Sequence, residues 1–363
     1  MNKAIRQAPS RFIRGFAGML VPFLGWVGEL KDPKVLRTDI LAGITVAMVL
    51  IPQSMAYAQL AGLPPYYGLY ASFLPPVIAA IMGSSRQLQT GPVAVVSLLT
   101  AAALEPIASA GTEGYIAYAI LLAVMVGLFQ ISLGVFRLGE LVDFLSHPVV
   151  MGFTNAAALI IATSQLSKLF GVDVERSEYY LESIWRVFLA IFEQPHLPTM
   201  AMAAIAFLII GVLARRFPRV PGVLVAVVCT TLLSYTLGYN DEGGAIVGSI
   251  PAGLPDFSMP QIDWNVLTQL ISTAFVISLV GFMEAISVAK AMAIRTKQRL
   301  DANQELFGQG ISNVVSALSQ GYPVSGSFSR SAVNFNSGAI TGLSSVVTGA
   351  IVGVTLIFFT PLL

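Results

Sequence analysis

Long apolar runs joined by short polar loops dominate this sequence, at 39–61, 66–83, 92–104, 115–136, 147–165, 199–214, 221–238, 267–293, 306–319, 328–335 and 340–360. Several approach the roughly 20 residues that carry a helix across a bilayer. In lipid every backbone N–H and C=O must find its partner within the chain, so runs of this kind fold as helices. Composition agrees, with 55% of residues hydrophobic and 11% charged, against about 25% charged in soluble domains. That leaves too little polar surface to cover a water-soluble globule of 363 residues. The expected class is an all-α, polytopic, multi-pass membrane protein with the lipid bilayer as its principal partner.

Other classes lose support on the same residues. The net charge is +1, and no Lys/Arg cluster is interleaved with aromatics as a nucleic-acid groove requires. The single cysteine, Cys229, sits in an apolar run and reads as packing, so neither a disulfide framework nor a metal site is expected. No P-loop occurs, GxSxG survives only in degraded form at 325–329, and no nucleophile–base set is visible, so neither an enzyme nor a cofactor is expected.

The basic residues set a topology. Lys3, Arg6, Arg11, Arg14, Lys31, Lys34 and Arg37 precede or open the first span, and others cluster at Arg86, Arg137, Arg215, Arg216, Arg219 and from Lys290 to Arg299. The loops at 62–67, 105–114 and 239–263 contain none. The positive-inside rule then makes the N-terminal segment, residues 1–35, cytoplasmic. No cleavage motif follows it, so the first helix is expected to stay in the membrane. In the mixed loop at 166–198, YYLESIWRVFLAIF has the amphipathic pattern of an interfacial helix.

Two of the runs are short and open at a glycine: TGPVAVVSLL from Thr90 and SGSFSRSAVNF from Ser325. Ordinary helix kinks are one reading. The other is a pair of half-helices whose free N–H groups and positive dipole ends make an anion site at mid-membrane depth, with Pro92 in the first turn of its helix. Their places match in two halves of the chain: Gln53 aligns with Glu284 at an offset of 231, and Thr90 with Ser325 at 235. The halves are 36–240 and 262–363. Seven crossings in the first reverse the second, which gives an inverted-topology repeat. The second half holds four segments, so segments 12–14 and a soluble C-terminal domain are expected to lie outside this chain.

Arg330 lies in the second half-helix between Ser327, Ser329 and Ser331. A guanidinium at this depth needs a partner and can grip an oxyanion through two N–H groups. A small inorganic anion is one candidate; a structural salt bridge to Glu284 is another. Glu284 interrupts a long apolar run and has two readings of its own, a site that exchanges H⁺ or Na⁺ during a cycle or a permanent partner of Arg330 or Lys290. Gln53 and Tyr57 are one helical turn apart and can face the same cavity.

Three stretches carry a family resemblance: IPQSMAYAQLAGLPP from Ile51, PPYYGLYASFLPPVIAAIMGSSRQLQTGPVAVVSLL from Pro64, and GYPVSGSFSRSAVNFNSGAITGLSSVVTGA from Gly321. They resemble the SulP sulfate permease family, which includes prestin. The resemblance implies fourteen segments in two inverted repeats of seven, similar to uracil permease, with a core moving against a gate and half-helices 3 and 10 meeting at the substrate. It implies a following cytoplasmic STAS domain, which this chain lacks. It adds Val93 and Phe328 to Gln53, Tyr57, Ser327, Ser329 and Arg330 as substrate-binding residues, and matches Glu284 to an acidic position considered for ion coupling. The implied function is secondary active transport of inorganic anions, sulfate first and bicarbonate second, across a bacterial-type inner membrane by an elevator-like movement coupled to H⁺ or Na⁺. An uncoupled channel, an exchanger, a dicarboxylate transporter and an anion-binding scaffold share that chassis, and a homodimer is an open assembly.

Overall fold

The computed structural model describes residues 22–139, 250–260 and 262–360, and between 152 and 248 all but 153–154, 157, 161, 164, 173, 175–179, 194, 218–221 and 242. Basic residues up to Arg14, together with Glu140, Asp143, His147 and part of the 147–165 run, lie outside these. The described residues fall into two compact units, one within Met1–Val150 and Ile250–Leu363, the other within Met151–Ser249.

After a short turn at Leu24–Val27, the first unit opens with α1, Pro33–Leu60, capped by Asp32, whose side chain accepts from the Lys34 amide at 2.9 Å. The chain turns at Gly62, φ 77°, where the Tyr115 hydroxyl donates to the Ala61 carbonyl at 2.8 Å. The run at 66–83 forms one apolar segment, Tyr66–Met82, interrupted at Leu74 into α2 (Tyr66–Phe73) and α3 (Pro75–Met82). Pro75 and Pro76 supply no N–H to continue α2 but suit the opening turn of α3. Strand β1, Gln89–Gly91, leads into α4, Ala94–Leu104; α5, Glu113–Val135, is capped by Thr112. Val93 is the N-cap of α4, so Pro92 precedes the helix instead of sitting in its first turn.

The second unit contains α6 (Leu166–Phe170), α7 (Tyr180–Glu193), α8 (Leu197–Arg216) and α9 (Gly222–Leu237). Helix α7 is the expected amphipathic segment, with Trp185, Phe188 and Phe192 exposed along one side. Helices α8 and α9 pack as a hairpin, and Cys229 is half-buried on α9.

The first unit resumes with α10, Trp264–Thr296, followed by α11 (Ala302–Leu318), strand β2 (Ser325–Ser327), α12 (Phe328–Asn336) and α13 (Leu343–Val354). This order repeats that of α1 to α5, with direction reversed. Helices α1, α5, α8 and α10 are long and apolar enough to span a membrane. Small residues bring the helices of the two halves together. A Cβ on Gly127 would sit 2.7 Å from the Gly310 carbonyl, and one on Gly43 would sit 2.5 Å from that of Ser344. These contacts seat α5 on α11 and α1 on α13. The main apolar core, including Val96, Leu104, Leu122, Leu270 and Ile277, lies among α4, α5 and α10.

Candidate anion site

The two glycine breaks pair with each other. Strands β1 and β2 form an antiparallel ribbon in which Gln89 faces Ser327, Thr90 faces Gly326 and Gly91 faces Ser325, every position buried. Such pairing satisfies backbone groups that kinked helices would leave open. Because the strands are antiparallel, α4 and α12 leave from opposite ends of the ribbon, and their N-terminal ends flank it. In α4 the first intrahelical amide donor is Ser97, to the Val93 carbonyl at 2.9 Å, which leaves the turn before it free for a ligand. In α12 the Ser327 hydroxyl caps the Arg330 amide at 3.4 Å.

Glycine is needed at both breaks for steric reasons. Gly91 has φ 155°, and a Cβ there would lie 3.3 Å from Arg330 Nη2. A Cβ on Gly326 would come within 2.8 Å of Leu88 and 3.0 Å of the Ala285 backbone.

Arg330 is 0% exposed. Its Nη1 donates to Gln53 Oε1 at 3.0 Å, and Gln53 Nε2 donates to the Tyr57 hydroxyl at 3.1 Å. Arg330 Nε and Nη2 are buried with no hydrogen-bond partner, as is Glu284 Oε2. The two side chains are electrostatic neighbours, yet among the described residues they form no ion pair. The permanent salt bridge between Glu284 and Arg330 considered from sequence is therefore not what the structure shows.

The structure draws Gln53, Tyr57 and Arg330 into one hydrogen-bonded chain, with Glu284 nearby and Ser327 at the cap. Ser329 is exposed beside Ser327, their hydroxyls 3.3 Å apart. Two residues part from this group. Val93 is 3% exposed within the apolar core, and the Phe328 ring is 60% exposed. No cluster of three or more His, Cys, Asp or Glu suited to a metal occurs among the described residues.

Sequence reasoning missed the polar stripe on α11. Gln309 Nε2 donates to the Thr90 hydroxyl at 2.8 Å and to Glu305 Oε1 at 3.1 Å, while Asn313 bonds both backbone groups of Val324, at 2.8 and 3.1 Å. The spacing of Glu305, Gln309 and Asn313, four residues apart each time, was the available signal. Gln309 and Asn313 were hidden inside the 306–319 run read as apolar, with Glu305 just before it.

Comparisons with known proteins give the chain's relatives. The chain is 40% identical over 351 residues to the chloroplastic sulfate transporter 4.1 of Arabidopsis thaliana, covering 94% of this chain and 51% of that protein. It spans about half the length of the curated relatives it matches. Its fold superimposes on the murine Solute Carrier 26 family member A9 anion transporter with a TM-score of 0.86 at 23% identity, covering 96% of this chain and 60% of the other. Against the transmembrane domain of a cyanobacterium bicarbonate transporter, BicA, the TM-score is 0.75 at 25% identity, with 90% and 84% covered. The family model described as the sulfate permease family matches residues 36–363, and the chain belongs to that family.

Proposed function

We propose that this chain carries the anion-binding core of a secondary transporter of inorganic anions, with sulfate as first substrate and bicarbonate as second, coupled to H⁺ or Na⁺. One observation carries the reading: Arg330 presents two buried, unpartnered nitrogens between the N-terminal ends of two half-helices. Unpaired donors in a dry site are costly. A partly dehydrated oxyanion offsets that cost by accepting from Nε and Nη2 together, with helix-end amides and the Ser327 and Ser329 hydroxyls completing its shell. Gln53 holds the guanidinium plane by occupying Nη1.

The names of the relatives supply the choice of anion, since one is a sulfate transporter and another a bicarbonate transporter. Glu284 is the candidate for the coupling ion because its buried Oε2 has no partner. The division into two compact units suits an elevator-like cycle. Arg86 and the 295–299 cluster belong to one end of the first unit, where the Ser84 hydroxyl donates to the Asp301 carbonyl at 3.0 Å and the Arg86 amide to Gln298 at 3.3 Å. That supports an inner-membrane orientation with this end and the N-terminus cytoplasmic.

Counterflow of labelled sulfate and bicarbonate into proteoliposomes holding the full-length protein tests the reading. Arg330→Ala is expected to weaken anion binding by about 100-fold or more, as loss of a charged hydrogen-bonding partner in a buried site does. Wild-type counterflow of neither anion, or an unchanged KM in Arg330→Ala, overturns it.

A further inference from the structure

The ribbon at the centre of the site has little means of holding its own register. Register in a sheet is fixed by a hydrophobic face, and it is weakly specified in short strands of glycine and small polar residues. Here each strand has three residues, Gln-Thr-Gly against Ser-Gly-Ser, with no apolar side chain in either. A slip of one residue would turn Thr90 and Ser327 to the opposite faces and move the start of each half-helix by about 3.3 Å. A site that grips an anion from both sides does not tolerate that displacement.

The constraint comes from outside the ribbon. Helix α11 reaches the ribbon through side chains, with three buried polar residues spaced four apart, Glu305, Gln309 and Asn313. Glu305 Oε2 accepts from the amides of Ser84 and Ser85, both at 2.9 Å, so it anchors the loop entering β1. Gln309 joins Glu305 to Thr90 inside β1. Asn313 pairs with Val324 as a neighbouring strand would, just before β2, and its Nδ2 also donates to Gln130 of α5 at 2.9 Å. One helix therefore bonds Thr90 within β1 and Val324 just before β2 from positions one turn apart, about 6 Å along its axis, and the loop entering β1 from one turn further back.

We infer that Glu305, Gln309 and Asn313 are positioning residues: they set the register of the ribbon, and through it the spacing of the two half-helix ends that determines which anion is held. The stripe does not itself touch the anion. Both Glu305 oxygens accept from N–H donors of the loop and of Gln309, which makes it an anchor of the network. This step rests on the anion-site reading, since it assigns a cause to that site's geometry.

The test cuts one hydrogen bond from each end. Thr90→Val keeps the shape and removes the acceptor; Gln309→Leu removes the donor. Full-length protein in proteoliposomes is assayed for sulfate and bicarbonate KM, and backbone hydrogen exchange is followed over 84–91 and 324–331. Each single variant is expected to raise exchange in both segments, raise sulfate KM by about tenfold and alter the sulfate-to-bicarbonate preference, as a buried polar network does when opened. The double variant is expected to be no worse than the worse single, because both sever the same bond. Glu305→Gln keeps an acceptor for the serine amides but sets its NH2 against Gln309 Nε2, so it is expected to raise exchange and sulfate KM in the same direction as the other single variants. If Gln309→Leu does not fold, Thr90→Val alone decides the matter by the same measurements.

Unchanged exchange overturns the inference. So does raised exchange with unchanged KM and preference, and so does additive loss in the double variant. Loss of ion-driven accumulation in Glu305→Gln with exchange intact would make Glu305 a coupling residue and also overturn it. Wild-type protein that moves neither anion would sink the anion-site reading, while the hydrogen-exchange comparison would still decide whether the stripe holds the ribbon.

Discussion

At the scale of the residue, the site depends on two unlike requirements at neighbouring positions. Arg330 supplies donors that the fold leaves unpaired, and Gly91 supplies the space that lets Nη2 approach the ribbon. Gly91→Ala should be unfavourable twice over, because φ 155° is strained for any residue with a Cβ and because that Cβ would press on Nη2 at 3.3 Å. The expected outcome is a KM for the transported anion raised about five- to tenfold and a stability loss of about 1–2 kcal/mol. Counterflow kinetics with the alanine variant check this; an unchanged KM would mean that Nη2 is not aimed at the anion. Arg330 and Gly91 were both legible in the sequence, one as a charge in an apolar run and the other as a break before a half-helix. Their contact was not, since it joins positions far apart in the chain, and only the ribbon brings them together. Val93 shows the opposite limit: its place beside the break says nothing about which way its side chain turns, and it turns into the apolar core.

At the scale of the element, the breaks were legible as places where helix stops and the pairing between them was not. Three-residue strands of glycine and polar residues carry no alternation that a pattern could detect. Helix α11 was obscured for a related reason, because Leu306, Phe307, Val314 and Val315 raise its average hydropathy while Gln309 and Asn313 spend their polarity on one buried face. That helix is placed by glycine. A Cβ on Gly310 would stand 2.7 Å from the Ile131 amide nitrogen and 2.8 Å from the Gly127 carbonyl, both backbone atoms that cannot rotate aside. Gly310→Ala must therefore separate α11 from α5, at an overpacking cost of about 1–3 kcal/mol. Heating detergent-solubilised protein and following the monodisperse fraction should show earlier loss for the variant. Equal or greater thermal resistance would mean that the two helices have slack the structure does not suggest.

At the scale of the whole molecule, the question is how charge is balanced when the site fills. Arg330 and Glu284 act on each other through their fields without a direct bond between them. One positive and one ionised negative group sum to zero, so a bound sulfate brings two uncompensated negative charges into a low-dielectric environment. For scale, two like unit charges about 5 Å apart at an effective dielectric near 20 repel by about 3 kcal/mol, or about a hundredfold in affinity. On the proposed function, a proton or a sodium ion on Glu284 would remove the repulsion, so anion binding and cation binding would favour each other reciprocally. In the wild type the sulfate KM should fall as pH is lowered or as Na⁺ is raised, whichever ion is used. Glu284→Gln mimics the loaded state permanently, so its KM should be low and flat against both, anion exchange across the membrane should persist, and accumulation against a gradient should disappear. Proteoliposomes with imposed pH and Na⁺ gradients separate these outcomes in one series. Gradient-driven accumulation that survives in Glu284→Gln would move the coupling ion to another group and leave Glu284 as a modulator of the potential around Arg330.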